Sequence, residues 1–259
     1  MSVAGPEFLD VDGRNIAVRH SNGVKAPGVV WLGGYRSDMM GTKAVVLDDW
    51  AQKTGHSALR LDYSGHGESG GDFNQGTISR WLEESLAVYN HYAQGPQILV
   101  GSSMGGWITL RMAQELKKQG KSPAGIVLIA PAPDFTALLV EPSLSEQQKR
   151  DLEQQGYFEE PSDYSPNPYI YTRALIEDGR QNLVLKGIIE TGCPVHILQG
   201  MQDADVPYKH ATLLMEHLPV DDVTLTLVRD GDHRLSRPQD LDLLIRTVSG
   251  LVDRINAKA

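Results

Sequence analysis

The sequence lacks several features that would mark particular classes of protein. Its 259 residues include one cysteine, Cys193, so no disulfide can form within the chain. No apolar run is long enough to span a bilayer, which predicts no stable membrane insertion. Lysine and arginine form no cluster, and the formal net charge is -9, which opposes binding to nucleic acid. Residues 1–7 lack a basic stretch followed by an apolar one, and we therefore expect a cytoplasmic protein.

The chain alternates short apolar runs with amphipathic segments. Runs typical of buried strands lie at residues 28–32, 98–100, 126–129 and 195–198. Segments with apolar residues at helical spacing separate them. This alternation predicts an α/β fold, with a mostly parallel central sheet covered by helices on both faces. Before the first run, Asp12-Gly13 predicts the tight turn of an opening hairpin.

The pattern changes between residues 134 and 191. A polar helix, a proline-containing stretch at residues 164–171 and several aromatic residues replace the alternation. We therefore divide the chain into a core of residues 1–133 and 192–259 and a short cap insertion of residues 134–191. The aromatic residues of the insertion either line a pocket for an acyl chain or pack the insertion onto the core; they are Tyr157, Phe158, Tyr169 and Tyr171.

A Gly-x-Ser-x-Gly motif stands between an apolar run and a helical segment. It comprises Gly101, Ser103 and Gly105. The order of strand, sharp turn and helix places the serine at the apex of the turn, in a strained backbone conformation. The two glycines leave room for the strand and the helix to approach each other. The helix N-terminus favours developing negative charge, and we predict that Ser103 is a nucleophile. A serine in an ordinary glycine turn is the alternative.

Two partners for this serine follow along the chain. Asp203 comes after an apolar strand, at the sheet edge where ligands bind, and His233 lies in a short loop after the last strand. An imidazole can remove the hydroxyl proton of serine, and a carboxylate fixes the imidazole tautomer and stabilises its cation. We therefore predict a catalytic triad of Ser103, Asp203 and His233. Asp205 is the less favoured carboxylate, and His66 is expected to be a hydrogen-bonding loop residue rather than the base.

The predicted chemistry also needs donors for an oxyanion. The Gly33-Gly34 break follows an apolar run, where a second donor is expected. The backbone N–H groups of Tyr35 and Met104 are the predicted pair, with Gly34 as an alternative to Tyr35. The glycine-rich loop at residues 64–72 lacks the spacing and the lysine of a P-loop, which opposes nucleotide binding. No metal or organic cofactor is required, and the expected partner is a small-molecule or acylated substrate.

Several stretches are similar to those of one enzyme family. They are Met40-Gly41-Thr42-Lys43-Ala44, Gly95-Pro96-Gln97-Ile98-Leu99-Val100, the serine motif, Gly200-Met201-Gln202-Asp203 and Asp232-His233-Arg234. Along nearly its whole length the chain resembles the α/β-hydrolase superfamily, whose triads follow the order Ser, Asp, His. More narrowly, these stretches resemble the mitochondrial palmitoyl-protein thioesterases, also called mycophenolic acid acyl-glucuronide esterases. The resemblance implies the α/β-hydrolase fold and hydrolysis of acyl thioesters or oxygen esters.

The sequence thus predicts a serine hydrolase that cleaves esters or thioesters through an acyl-enzyme. One alternative is another hydrolase with the same triad, such as a peptidase or a C–C bond hydrolase. The other is a noncatalytic binding protein with the same fold, because fold alone does not determine function. The sequence does not indicate which oligomeric state the protein adopts.

Overall fold

A computed structural model describes residues 5–161 and 168–257. The strands in these ranges are β1 (Glu7–Val11), β2 (Arg14–Ser21), β3 (Lys25–Leu32), β4 (His56–Leu61), β5 (Gln97–Ser102), β6 (Gly125–Ile129), β7 (Tyr157–Glu160), β8 (Tyr169–Thr172), β9 (Val195–Gly200) and β10 (Val223–Val228). The α-helices are α1 (Thr42–Thr54), α2 (Ile78–Tyr92), α3 (Met104–Lys118), α4 (Glu141–Ser143), α5 (Glu146–Gln154), α6 (Arg173–Gln181), α7 (Tyr208–Glu216) and α8 (Pro238–Asn256). No helix among these residues is long and apolar enough to cross a membrane.

The large sheet has the strand order β1-β2-β4-β3-β5-β6-β9-β10. The β1–β2 and β2–β4 pairs are antiparallel, and the other neighbours are parallel. Asp12 and Gly13 join β1 to β2 with positive φ angles of 52° and 78°, as a tight hairpin turn requires. The predicted hairpin and the mostly parallel sheet are both confirmed. Since strands β3, β5, β6 and β9 are parallel, their carboxyl ends meet at one edge.

Helices cover both faces of the sheet. On β5, Ile98 and Val100 pack into one apolar cluster and Leu99 into the other, because successive side chains of a strand point to opposite faces. The cluster around Ile98 and Val100 also contains buried residues of α1 and α8, whereas the cluster around Leu99 contains those of α2, α3 and α7. The predicted two-sided helical covering is therefore confirmed.

Residues 134–191 connect β6 to β9. Their described part contains a π-helical turn (Thr136–Val140), α4, α5, α6 and a separate antiparallel pair of strands, β7 and β8. This pair was not expected from the sequence, because strands of four residues show too little alternation to be recognised. Residues 162–167, which include the first part of the predicted 164–171 stretch, lie outside the described residues.

Candidate active site

The predicted nucleophile lies at a sharp turn between β5 and α3. Ser103 has φ 53° and ψ -119°, a backbone conformation that residues other than glycine rarely adopt. A Cβ atom on Gly101 would lie 2.4 Å from the carbonyl oxygen of Gly105, and one on Gly105 would lie 2.1 Å from that of Leu32. Gly101 therefore allows β5 to approach the start of α3, and Gly105 allows α3 to approach the end of β3.

The predicted triad residues are within hydrogen-bonding distance of one another. His233 Nε2 lies 3.1 Å from Ser103 Oγ, and His233 Nδ1 lies 2.8 Å from Asp203 Oδ2. Each residue follows a strand of the parallel region, namely β5, β9 or β10. The Asp203 side chain is fully buried and that of His233 is 15% exposed. The tertiary structure thus brings together three residues that are up to 130 positions apart.

Backbone and side-chain donors fix the carboxylate of Asp203. Its Oδ1 accepts hydrogen bonds from the N–H groups of Asp205 (3.0 Å) and Val206 (2.8 Å). Its Oδ2 accepts one from Gln199 Nε2 (3.0 Å) as well as the one from His233. Because a carboxylate only accepts, the shared proton lies on Nδ1 of His233. Nε2 of the neutral ring is then free to accept the hydroxyl proton of the serine.

Gln199, which was not expected at the site from the sequence, also holds the carboxylate of Asp203. It lies in the interior of β9, has no exposed surface and donates to Asp203 four residues later. The sequence does contain one indication of this role, because a polar amide directly follows the apolar run at residues 195–198. A polar side chain buried in a strand usually needs a hydrogen-bonding partner.

Asp205 lies close to the triad but differs from Asp203 in its environment. The side chains of Asp203, Asp205 and His233 place potential metal-ligating atoms within 4.8 Å of one another, and Asp205 is exposed. The short contact of His233 Nδ1 is with Asp203, which is consistent with a His–Asp hydrogen bond beside a second carboxylate. The geometry therefore favours Asp203 as the carboxylate partner.

Met104 follows Ser103 in the chain, and Gly34, the residue before Tyr35, lies next to it in the structure. Met104 is the first residue of α3, so its N–H is among the donors that have no acceptor within the helix. On the other side, a Cβ atom on Gly34 would lie 3.3 Å from both Ser102 O and Ser103 Cβ. The loop that carries Tyr35 therefore passes directly beside the serine, and a side chain at position 34 would make tight contacts with Ser102 and Ser103.

The side chain of Tyr35 contacts the segment between β6 and β9. Its hydroxyl donates to the carbonyl oxygen of Ile170, and its ring stacks on Tyr171 at a centroid distance of 5.5 Å. Phe158 is buried and stacks on the same Tyr171 ring at 5.1 Å. Burial raises the pKa of Tyr35, so its hydroxyl stays protonated. For these aromatic residues the structure favours packing of residues 134–191 onto the core.

Comparisons with known proteins agree with this architecture. A family model described as the alpha/beta hydrolase family matches residues 27–242. The mitochondrial palmitoyl-protein thioesterase ABHD10 of Mus musculus is 33% identical over 245 residues, which cover 93% of this chain and 80% of the relative.

Two solved hydrolase structures are also similar to this chain. A putative hydrolase from Agrobacterium vitis S4 is 57% identical with a TM-score of 0.91, and the match covers 96% of this chain and 97% of that one. Alpha/beta hydrolase domain-containing protein 10 from mouse is 32% identical with a TM-score of 0.87, and the match covers 97% and 100%.

These matches confirm the predicted fold class and the resemblance described above. The thioesterase relatives are named as mitochondrial, whereas the sequence predicted a cytoplasmic protein, and the compartment stays a prediction. The family model covers more than half of the chain, and the ABHD10 relatives are similar along most of it. The chain belongs to the alpha/beta hydrolase family.

Proposed function

We propose that this protein is a serine hydrolase that cleaves acyl esters or thioesters through an acyl-enzyme intermediate. The observation that carries the proposal is the contact of Ser103 Oγ with His233 Nε2 at 3.1 Å, in a ring whose Nδ1 lies 2.8 Å from Asp203. The positive φ of Ser103 at the end of β5 adds the geometry of an exposed nucleophile. The thioesterase name of the ABHD10 relatives supports the substrate class.

Acylation begins with proton transfer from Ser103 to His233. The serine oxygen attacks the acyl carbonyl carbon, and the resulting oxyanion accepts hydrogen bonds from the N–H groups of Met104 and Tyr35. One such donor contributes about 3 kcal/mol to the stability of the transition state. Asp203 stabilises the imidazolium, which then protonates the departing alcohol or thiol.

Deacylation repeats these steps with water. His233 removes a proton from a water molecule, the hydroxide attacks the acyl carbon, and Ser103 leaves with the proton that the imidazolium returns. The acid is released and the free enzyme is restored. The residues that carry these steps all belong to the chain itself.

We further propose that residues 134–191 act as a cap that bounds the acyl group. Support comes from contacts of β8 and of the residue before it with the loop beside Ser103: the Tyr35 hydroxyl donates to Ile170 O, and the Arg36 guanidinium donates to Pro168 O. A segment attached at this position limits the space above the nucleophile and thereby selects among acyl chains.

Hydrolysis of p-nitrophenyl esters and matched acyl thioesters of increasing chain length tests the proposal. Wild type should cleave both series, and Ser103→Ala should lose at least about 10⁴-fold in kcat. Ser102→Ala is the matched control, because Ser102 is the last residue of β5 rather than the apex of the turn, and it should keep most of the activity. The chain length that gives the highest kcat/KM measures the acyl space below the cap.

A serine-directed fluorophosphonate separates the alternatives. Labelling of wild type, but not of Ser103→Ala, without cleavage of either series would favour a peptidase or a C–C bond hydrolase. A protein that neither cleaves nor becomes labelled would contradict the proposal and favour a binding protein with this fold.

A further inference from the structure

The loop after β4 contacts the loop that carries Tyr35. Residues 62–66 and 33–39 are connected by hydrogen bonds along their length. These run from the Tyr63 hydroxyl to Gly33 O (3.2 Å), from the Arg36 N–H to His66 Nε2 (3.2 Å) and from the Met39 N–H to Asp62 Oδ1 (2.6 Å). Residues 62–66, which have no place in the proposed chemistry, therefore support the loop beside the nucleophile.

His66 is held in one tautomer. It is 4% exposed and lies against the rings of Phe73 and Trp81, with centroid distances of 5.0 and 5.2 Å. Its Nδ1 lies 3.2 Å from the carbonyl oxygen of Ser64, which can only accept, so Nδ1 carries the proton. Nε2 is consequently an acceptor, and the Arg36 N–H donates to it. Burial lowers the pKa of His66 to about 4, which keeps the ring neutral near pH 7.

The hydrogen bond from the Arg36 N–H to His66 stabilises a turn in which Arg36 has a positive φ. A residue with a side chain disfavours that conformation. Ser37 N–H donates to Gly34 O at 3.1 Å, which closes a turn with Tyr35 and Arg36 at the central positions. Arg36 has a φ of 55°, whereas the φ of Tyr35 is not positive, and these signs of φ are those of a type II turn. The third position of a type II turn favours glycine, because a Cβ atom is strained at positive φ.

The competing arrangement is a type I turn. Rotation of the peptide between Tyr35 and Arg36 interconverts the two turns, and in the type I form Arg36 would have a negative φ. The same rotation turns the Arg36 N–H away from His66. It also changes ψ of Tyr35, and without the bond to His66 the residue that follows the proposed oxyanion donor loses its contact with the loop after β4.

We propose that His66 is a positioning residue for the oxyanion hole: by accepting the Arg36 N–H, it holds the type II turn and keeps the Tyr35 N–H directed at the substrate carbonyl. The inference rests on the proposed serine hydrolase. His66 acts through the backbone of the neighbouring loop, so it should affect the chemical step more than substrate binding.

Three substitutions at this position test the acceptor. His66→Gln places an amide oxygen near the position of Nε2, His66→Asn is too short to reach Arg36, and His66→Leu has no acceptor. With p-nitrophenyl butyrate as the substrate, we expect Asn and Leu to lower kcat about tenfold or more with KM changed by less than about threefold. His66→Gln should stay within about threefold of the wild-type kcat. Circular dichroism and thermal unfolding monitor the fold of each variant.

A second pair of variants tests the turn itself. In the His66→Leu background, Arg36→Gly removes the strain at positive φ, whereas Arg36→Ala removes the same side chain and keeps the strain. The glycine variant should recover at least about threefold in kcat over the alanine variant. A role of His66 in packing alone would give equal values for the two.

The outcomes separate this inference from the function on which it rests. Equal kcat for the Gln and Asn variants, or equal values for the Gly and Ala variants, would overturn the positioning role. If His66→Leu does not fold, the kcat values of His66→Gln and His66→Asn alone test the positioning role. If wild type itself neither cleaves the ester above the level of Ser103→Ala nor reacts with a fluorophosphonate, the proposed function fails and the positioning role fails with it.

Discussion

At the scale of single residues, the environment of a side chain distinguishes two aspartates that are two positions apart. The Asp203 side chain is fully buried, lies 2.8 Å from His233 Nδ1 and accepts from two backbone N–H groups. Asp205 is exposed, and its own N–H is one of those two donors. A buried carboxylate that is fixed in this way can orient an imidazole, whereas water screens an exposed one.

Amide substitutions at the two positions should therefore have different effects. Asp203→Asn should lower kcat on the order of 10³- to 10⁴-fold, because the amide favours the wrong imidazole tautomer. Asp205→Asn keeps the backbone donor and should change kcat by less than about threefold. Steady-state hydrolysis of p-nitrophenyl butyrate at pH 7.5 gives both values. Similar losses for the two variants would mean that the carboxylate role is shared.

At the scale of secondary-structure elements, the turn between β5 and α3 depends on close backbone contact. Gly105 lies in the first turn of α3, and a Cβ atom there would come within 2.1 Å of Leu32 O at the end of β3. A carbonyl oxygen of a central strand cannot move away without loss of sheet hydrogen bonds. The helix would have to shift, and Ser103 at its N-terminus would shift with it.

We expect Gly105→Ala to lower the free energy of unfolding by about 3 kcal/mol, because the extra methyl group overpacks a rigid backbone contact. Gly250→Ala in α8 is the control, since nothing lies within 4 Å of the added Cβ atom. That variant should gain about 0.5–1 kcal/mol from its higher helix propensity. Urea unfolding followed by circular dichroism measures both. A neutral Gly105→Ala would contradict the close-contact argument for the turn.

At the scale of the whole molecule, a buried carboxylate joins the start of the segment between β6 and β9 to residues 184–185 in its last part. Asp134 lies after β6, and its oxygens accept from the N–H groups of Val184 and Leu185, each with a bond of 2.8 Å. Burial raises the pKa of Asp134, while these two N–H groups act in the opposite direction. Asp134 thus links two parts of the proposed cap that are 50 residues apart in the chain. A third part of the cap, at Ile170, accepts a hydrogen bond from the Tyr35 hydroxyl.

Asp134→Ala should lower the free energy of unfolding by about 3 kcal/mol, because it leaves two backbone N–H groups without their acceptor. Asp134→Asn keeps one acceptor oxygen and should lose about half as much. Urea unfolding gives the free energies, and hydrogen exchange should show faster exchange of the Val184 and Leu185 amides in the alanine variant. Unchanged exchange at these two amides would rule out this linking role.

Much of the fold could be predicted from local patterns. The apolar runs and the helical spacing predicted the mostly parallel sheet and its helical faces, and Asp12-Gly13 predicted the opening hairpin. The β7–β8 pair was missed because its strands are short and pair only with each other. Gln199 was missed because a single amide in an apolar strand has no local pattern that reveals its partner.

The sequence by itself determined the turn at Ser103, because a strand, two glycines and a helix impose that conformation through local sterics. It also determined the chain order of the candidate triad. Only the tertiary structure decided which aspartate faces His233, since the choice depends on burial and on donors from β9 and the following loop. The contact of His66 with the Arg36 N–H was likewise decided by tertiary structure, because it joins loops after two different strands, β3 and β4, and no local spacing encodes such a contact.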